Sequence, residues 1–228
     1  MKAVLIFFLF AILASASAQG KIEGAGKFKI GKTNLSVIKE IEDELHIHVK
    51  NMTTDKEYSA FCEIHNDYVL YEAQTDTTTL KNRPWFAAYP SDYKVYFLTK
   101  YQIDKLVYTH ISLTFHNGVL IQFHSDGGAA LERRLKSKYG EPVKVFNSMQ
   151  NVQGREGGVN FESRVQMTIL RWINDSIIAN SASMQNTIRV EPTYIYFEVG
   201  NDLEVHKADT VQELMRKRIF ERNMPGNK

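Results

Sequence analysis

The chain has seven histidines and a single cysteine, and their spacing sorts them into a few groups that could do chemistry. His46 and His48 fall in Leu45-His46-Ile47-His48-Val49-Lys50, a strict alternation that reads as a half-buried strand with both imidazoles on its polar side. His110 and His124 stand on either side of Asn117-Gly118 and oppose each other if the segment is a hairpin. Cross-strand Cβ atoms lie ~5 Å apart, so either pair could chelate a divalent metal. A zinc site needs three or four ligands, and spacing supplies no third, so the preferred reading is exposed histidines on a polar sheet face, with no cofactor. Cys62-Glu63-Ile64-His65 brings together the thiol and imidazole that a cysteine nucleophile requires. On a strand, however, residues three apart face opposite sides, and Ala60, Phe61 and Ile64 surround Cys62 with apolar neighbours. A packed core cysteine is expected. Neither G-x-S-x-G nor H-E-x-x-H occurs.

Residues 26–33, Gly-Lys-Phe-Lys-Ile-Gly-Lys-Thr, satisfy the phosphate-loop formula letter by letter. That loop works only after a buried apolar strand and before a helix, and Lys21-Ile22-Glu23-Gly24-Ala25 is no such strand. A chance match is the better account. Aromatic residues point elsewhere. Trp85, Phe86 and Tyr89 sit in an irregular segment, 74–92, longer than the ~12–15 residues usual for loops in compact domains. Tyr194 and Tyr196 alternate with Ile195, Phe197 and Val199 and so take the face of their strand opposite the core. Exposed aromatics are what protein and ligand interfaces use, and a second buried layer is the competing account. Arg216, Lys217, Arg218 and Arg222 crowd the end of a terminal helix, where cations complement the helix dipole.

The elements that must position these residues are legible in outline. Asn34 caps a helix over 34–42, and strands follow at 45–50, 58–64 and 68–73. In 107–124 a plain two-residue turn mixes apolar and polar side chains on both faces. A three-residue loop, His116-Asn117-Gly118, instead pairs Phe115 with Val119 and Ile111 with Phe123, and sets His110 against His124. A helix ends at Tyr139-Gly140 before Pro142. Then come a strand at 143–146, a polar loop over 147–160, and strands at 164–173, 176–183 and 189–199. A helix starts at the Thr210-x-x-Glu213 box with Val211, Leu214, Met215 and Ile219 inward. Hairpins without regular β-helix-β alternation give an α+β fold: antiparallel sheet of hairpin-connected strands with about three helices packed on one face.

Met1-Lys2, an apolar run over 3–13 and Ala16-Ser17-Ala18 have the order of a cleavable secretory signal. The run is far shorter than the ~20 residues of a membrane span, and no later segment is longer. The expected organisation is a signal peptide over 1–18 and one exported domain over 19–228, or two packed halves divided near 74–92. Removal of the signal takes one of 28 basic residues and none of 26 acidic ones, leaving +1. That charge speaks against nucleic acid as a partner, and no polybasic membrane-binding stretch is present. A lone cysteine makes no internal disulfide, which favours a bacterial periplasmic or extracellular protein over a eukaryotic secreted one. The function expected is a non-enzymatic binding module for an unknown protein or small ligand. The alternative is an exported hydrolase or metal-dependent enzyme built on His46, His48, His110 and His124 or on Cys62. Exported material should begin at Gln19 when its intact mass is measured; the full-length mass would contradict cleavage at Ala18.

Overall fold

The computed structural model describes residues 20–74, 89–156, 159–186 and 192–223. The segment 1–18 expected to be a signal peptide, Trp85 and Phe86 lie outside them, as does most of the 74–92 segment. The fold is α+β, as the sequence implies. A short hairpin, β1 (Gly24–Ala25) and β2 (Phe28–Lys29), precedes helix α1 (Ser36–Leu45). Strand β3 (Val49–Met52), helix α2 (Asp55–Cys62) and strand β4 (Leu70–Ala73) form a parallel crossover. Then follow β5 (Tyr93–Ile103), β6 (Leu106–His116), β7 (Val119–Asp126), helix α3 (Ala129–Tyr139), β8 (Lys144–Glu156), β9 (Val159–Asn174), β10 (Ile177–Asn186), β11 (Thr193–Asn201) and helix α4 (Asp202–Asn223). One nine-stranded sheet runs β3-β4-β5-β6-β7-β11-β10-β9-β8, antiparallel except for β3 with β4. Among the described residues, no helix is long and apolar enough to cross a membrane.

Several elements differ from the sequence expectation for identifiable reasons. Residues 55–62 are helix, not strand, because Thr54 and Glu57 close a reciprocal capping box: the Thr54 hydroxyl accepts from Glu57 N–H, and the Glu57 carboxylate accepts from Thr54 N–H. Helix α1 runs on to Leu45, so His46 is its left-handed cap (φ 54°) and the strand begins only at Val49. The expected loop over 147–160 belongs largely to β8 and β9, whose long hairpin pairs Lys144 with Arg171 at one end and Glu156 with Val159 at the other. Helix α4 begins at Asp202 directly after β11, leaving Thr210 in mid-helix with its hydroxyl donating to the His206 carbonyl. Leu214 is exposed, not inward.

The helices lie on both sides of the sheet. Against its first face pack the β1–β2 hairpin, α1 through Val37, Ile38 and Ile41, and α3 through Leu131 and Leu135. Against the second face pack α2 through Phe61 and α4 through Ala208, with Met52, Tyr93, Val95, Phe97 and Ile121. The first-face core imposes a pattern that simple alternation cannot meet. Leu98 and Tyr101 on β5, Tyr108 and Ile111 on β6, and Leu120 and Phe123 on β7 all join it, although each pair is three residues apart. A regular strand sends such residues to opposite faces, so each of the three strands must break its alternation between the members of its pair. On β6 the break takes the form of a left-handed residue, His110, at φ 46°. On β7 it is a register shift that leaves Ile121 as an extra residue facing the second side.

That shift corrects the expected hairpin. Asn117 and Gly118 form a two-residue turn, both left-handed (φ 50° and 78°), so His116 pairs with Val119 and Phe115 with Leu120. Beyond the shift Leu113 pairs with Phe123 and Ser112 with His124. The expected three-residue loop does not form: the turn has two residues, and the extra residue lies inside β7. Leu120 is thereby buried in the first core, where Gly31 N–H donates to its carbonyl and its own N–H donates to Thr33. His110 does not face His124. The phosphate-loop formula has no counterpart in structure: Gly26 lies in the turn between β1 and β2, and Thr33 Oγ1 is held between Lys27 O and Lys29 N. Because both turn residues are left-handed, Asn117→Ala should cost about 1 kcal/mol, and Gly118→Val roughly 2–3 kcal/mol, in denaturant unfolding. A Gly118→Val protein as stable as its parent would contradict this turn.

Candidate functional site

The break in β6 turns both Thr109 and His110 to the second face, where they converge on Asp126 at the end of β7. Thr109 Oγ1 donates to Asp126 Oδ2 at 2.9 Å, and His110 Nδ1 lies 2.6 Å from the same oxygen. Phe61 and His65 approach the His110 ring edge-on, at centroid distances of 5.5 and 5.4 Å. His110 Nε2 is buried and has no hydrogen-bond partner among the described residues.

Cys62 closes helix α2 beside this cluster, and it is exposed, which corrects the expectation of a core thiol. With 55–62 helical, the inward position goes to Phe61. Although the residue as a whole is exposed, partial burial of its sulfur pushes the thiol pKa up; the carboxylates of Asp126 and Glu63 add to the rise, and a hydrogen bond with Tyr58 opposes it. The Tyr58 phenol is itself pushed up to about 12, first by burial. A cysteine nucleophile needs the opposite shift, toward thiolate at neutral pH, so this environment does not activate Cys62.

The remaining histidines do not assemble. His46 caps α1 and His48 is almost fully exposed, 3.7 Å from Glu42, both ahead of the edge strand β3. Strands β4, β5 and β6 separate β3 from the strand that carries His124. Among the described residues, no group of three or more His, Cys, Asp and Glu side chains is placed to hold a metal ion. His116 was not singled out by spacing, yet it ties α4 to the sheet. Its Nδ1 lies 3.0 Å from Glu204 and its Nε2 3.2 Å from Asp92, with the ring stacked on Tyr93 at 4.3 Å.

A second assembly crosses the middle of the second face. Register places Ser112, His124, Glu198, Asn180, Arg171 and Lys144 in one row over β6, β7, β11, β10, β9 and β8. Within it Arg171 Nε donates to Asn180 Oδ1 at 2.8 Å, and Asn180 Nδ2 donates to Glu198 Oε1 at 2.8 Å. The Arg171 guanidinium lies 4.9 Å from the Phe146 ring centroid, a cation–π contact. His124 stacks on Tyr196 at 5.6 Å. Burial lowers the His124 pKa from its usual 6.5, against the pull of Glu198 and Asp126. Burial likewise raises the Tyr196 phenol, with Glu198 adding to it. Between this row and the start of α4 lies a cleft of about 180 Å³.

Of the aromatics selected from sequence, Tyr196 lies half-buried on this face, whereas an irregularity in β11 pairs Tyr194 with Ser183, in register with the other side of the sheet, and Tyr89 is buried against Tyr93 in the second core. Arg171, Asn180 and Glu198 escaped the sequence reading. Their signal was polar residues set among apolar ones inside strands, as in Leu170-Arg171-Trp172 and Phe197-Glu198-Val199. Comparison of the chain with protein-family models, with curated proteins and with solved structures gives no match.

Because folding lowers the His124 pKa, the unfolded chain binds a proton more readily below pH 6.5. The stability present above that value should be lost as pH falls through 6.5 toward the folded pKa. Denaturant midpoints taken at about pH 7 and about pH 5.5 should therefore differ more for the parent protein than for His124→Gln. Equal losses in the two proteins would contradict a buried neutral imidazole.

Proposed function

We propose that this chain is a non-enzymatic binding module working outside the cytoplasm, and that its binding surface is the second face of the sheet over β8 to β11. The observation that carries this reading is the character of that face. Helix α4 packs against β7 and β11. Beyond it, Phe146 and Ile173 are exposed, and Tyr196, Met184 and Arg171 are half-buried. Aromatic, methionine and arginine side chains around an apolar surface are the composition of recognition surfaces. The rival reading, a hydrolase or metal-dependent enzyme, has weaker support. It needs an activated nucleophile or a third metal ligand beside the histidines, and the raised Cys62 thiol and the dispersed His46, His48, His110 and His124 supply neither. The leader over 1–18 supports export to the periplasm or the extracellular space. The aromatic segment around Trp85 and Phe86 is part of the proposal on sequence grounds alone.

The mature protein, immobilised and exposed to the secreted or periplasmic fraction of its host, should retain a ligand that Phe146→Glu combined with Tyr196→Ala does not. Equal retention would contradict the assignment of the face. Turnover of an ester or peptide panel that disappears with Cys62→Ser or His110→Ala would replace it with the enzymatic reading.

A further inference from the structure

The cleft beside the polar row has a chemistry more particular than a recognition face requires. Its walls are Gln122, Arg171, Asn180, Glu198, Asp202 and Val205. Helix α4 can close it on one side because Gly200 lacks a side chain: a Cβ there would stand 2.7 Å from Val205 Cγ2 and 3.1 Å from the Ile121 carbonyl oxygen. Asn180, only 8% exposed, accepts from the cation Arg171 and donates to the anion Glu198. One buried amide thus holds opposite charges side by side while occupying only the Nε edge of the guanidinium and one carboxylate oxygen. Among the described residues, Arg171 Nη1 and Nη2, Glu198 Oε2, the Asp202 carboxylate and the Gln122 amide have no protein partner.

The free end of Arg171 is the two-pronged donor that takes a carboxylate in parallel bonds. Glu198 and Asp202, on the other side of Asn180, are acceptors suited to an ammonium group. A dicarboxylate would meet these two acids, and a polycation would meet Arg171. Size narrows the class further. At about 180 Å³ the cleft is smaller than the ~300–1,000 Å³ pockets that hold drug-sized ligands and cofactors. We propose that this cleft binds a free α-amino acid, with its carboxylate on Arg171 Nη1 and Nη2, its ammonium between Glu198 Oε2 and Asp202, and a small uncharged side chain toward Ile178 and Val205. The proposal rests on the second face being a binding surface and names the ligand class for one part of it.

The probes are L-alanine, L-valine and L-threonine, each compared with its N-acetyl and methyl ester derivative, titrated into the mature protein by calorimetry and by amide chemical shifts. At least one free amino acid should bind saturably, with shifts centred on Gln122, Arg171, Asn180 and Glu198. Removing either charge from the ligand should weaken binding at least tenfold, about 1.4 kcal/mol. Glu198→Gln should erase the preference over the N-acetyl derivative, and Arg171→Gln the preference over a ligand without its carboxylate charge. Thermal unfolding shows whether these variants fold; if they do not, the derivative series on the parent protein still decides. No binding of the three amino acids up to about 10 mM, equal affinity for the blocked derivatives, or tighter binding of methyl glucoside would overturn the zwitterion site. Amino acids that fail to bind while Phe146→Glu with Tyr196→Ala still abolishes ligand retention would sink this inference and leave the binding face standing. Amino-acid binding confined to the cleft, with retention unaffected by the face variant, would do the reverse.

Discussion

The structure depends on one conflict, between a backbone that sends successive side chains to opposite faces and a first-face core that demands residues three apart on the same side. Leu98 with Tyr101, Tyr108 with Ile111, and Leu120 with Phe123 are all buried in that core. Each large apolar side chain gains roughly 1.5–3 kcal/mol on burial, more than a break in strand alternation or one left-handed residue costs. Packing therefore wins three times on three adjacent strands, and the paired positions coincide across the sheet: Leu98 opposes Ile111, and Tyr101 opposes Tyr108.

What the first face gains, the second receives as surplus residues. The break in β6 delivers Thr109 and His110 together to Asp126. The break in β5 buries Thr99, whose hydroxyl donates to the Asp67 carbonyl and accepts from Val69 N–H, stitching β5 to the segment before β4. On β7 the surplus residue is Ile121, which joins the core beneath α2 and α4, while the same shift brings Gln122 and His124 into line with Gly200 and Glu198 on β11. The row from Ser112 to Lys144, and the cleft that α4 closes over Gly200, are thus consequences of packing on the opposite side. A change in the β7 register would move Gln122 and His124 out of line with β11 and dismantle both.

This explains which parts of the molecule the sequence could disclose. Local rules were enough for α3 with Gly140 as its cap, for the Asn174-Asp175 turn, and for Tyr196 on the face away from Phe197 and Val199. They failed where two rules competed. Residues 58–64 look like a strand until the Thr54–Glu57 capping box is weighed, and then Phe61, not Cys62, is the buried residue. Alternation around Asn117-Gly118 favours a three-residue loop, yet the chain makes the two-residue turn that pairs Phe115 with Leu120 and sets the extra residue inside β7, a position that depends on Leu120 meeting the N-terminal segment at Gly31 and Thr33, a contact no local pattern announces. The polar row was illegible for a related reason. Arg171, Asn180 and Glu198 lie on three strands, and only register aligns them.

The central claim is that first-face packing, acting through the shift inside β7, builds the second face. Cross-strand nuclear Overhauser contacts between β6 and β7 in the labelled protein test it directly. The account predicts backbone contacts that pair Phe115 with Leu120, then, past Ile121, Leu113 with Phe123 and Ser112 with His124. An unbroken ladder pairing Phe115 with Val119, Leu113 with Ile121 and His110 with His124 would contradict it.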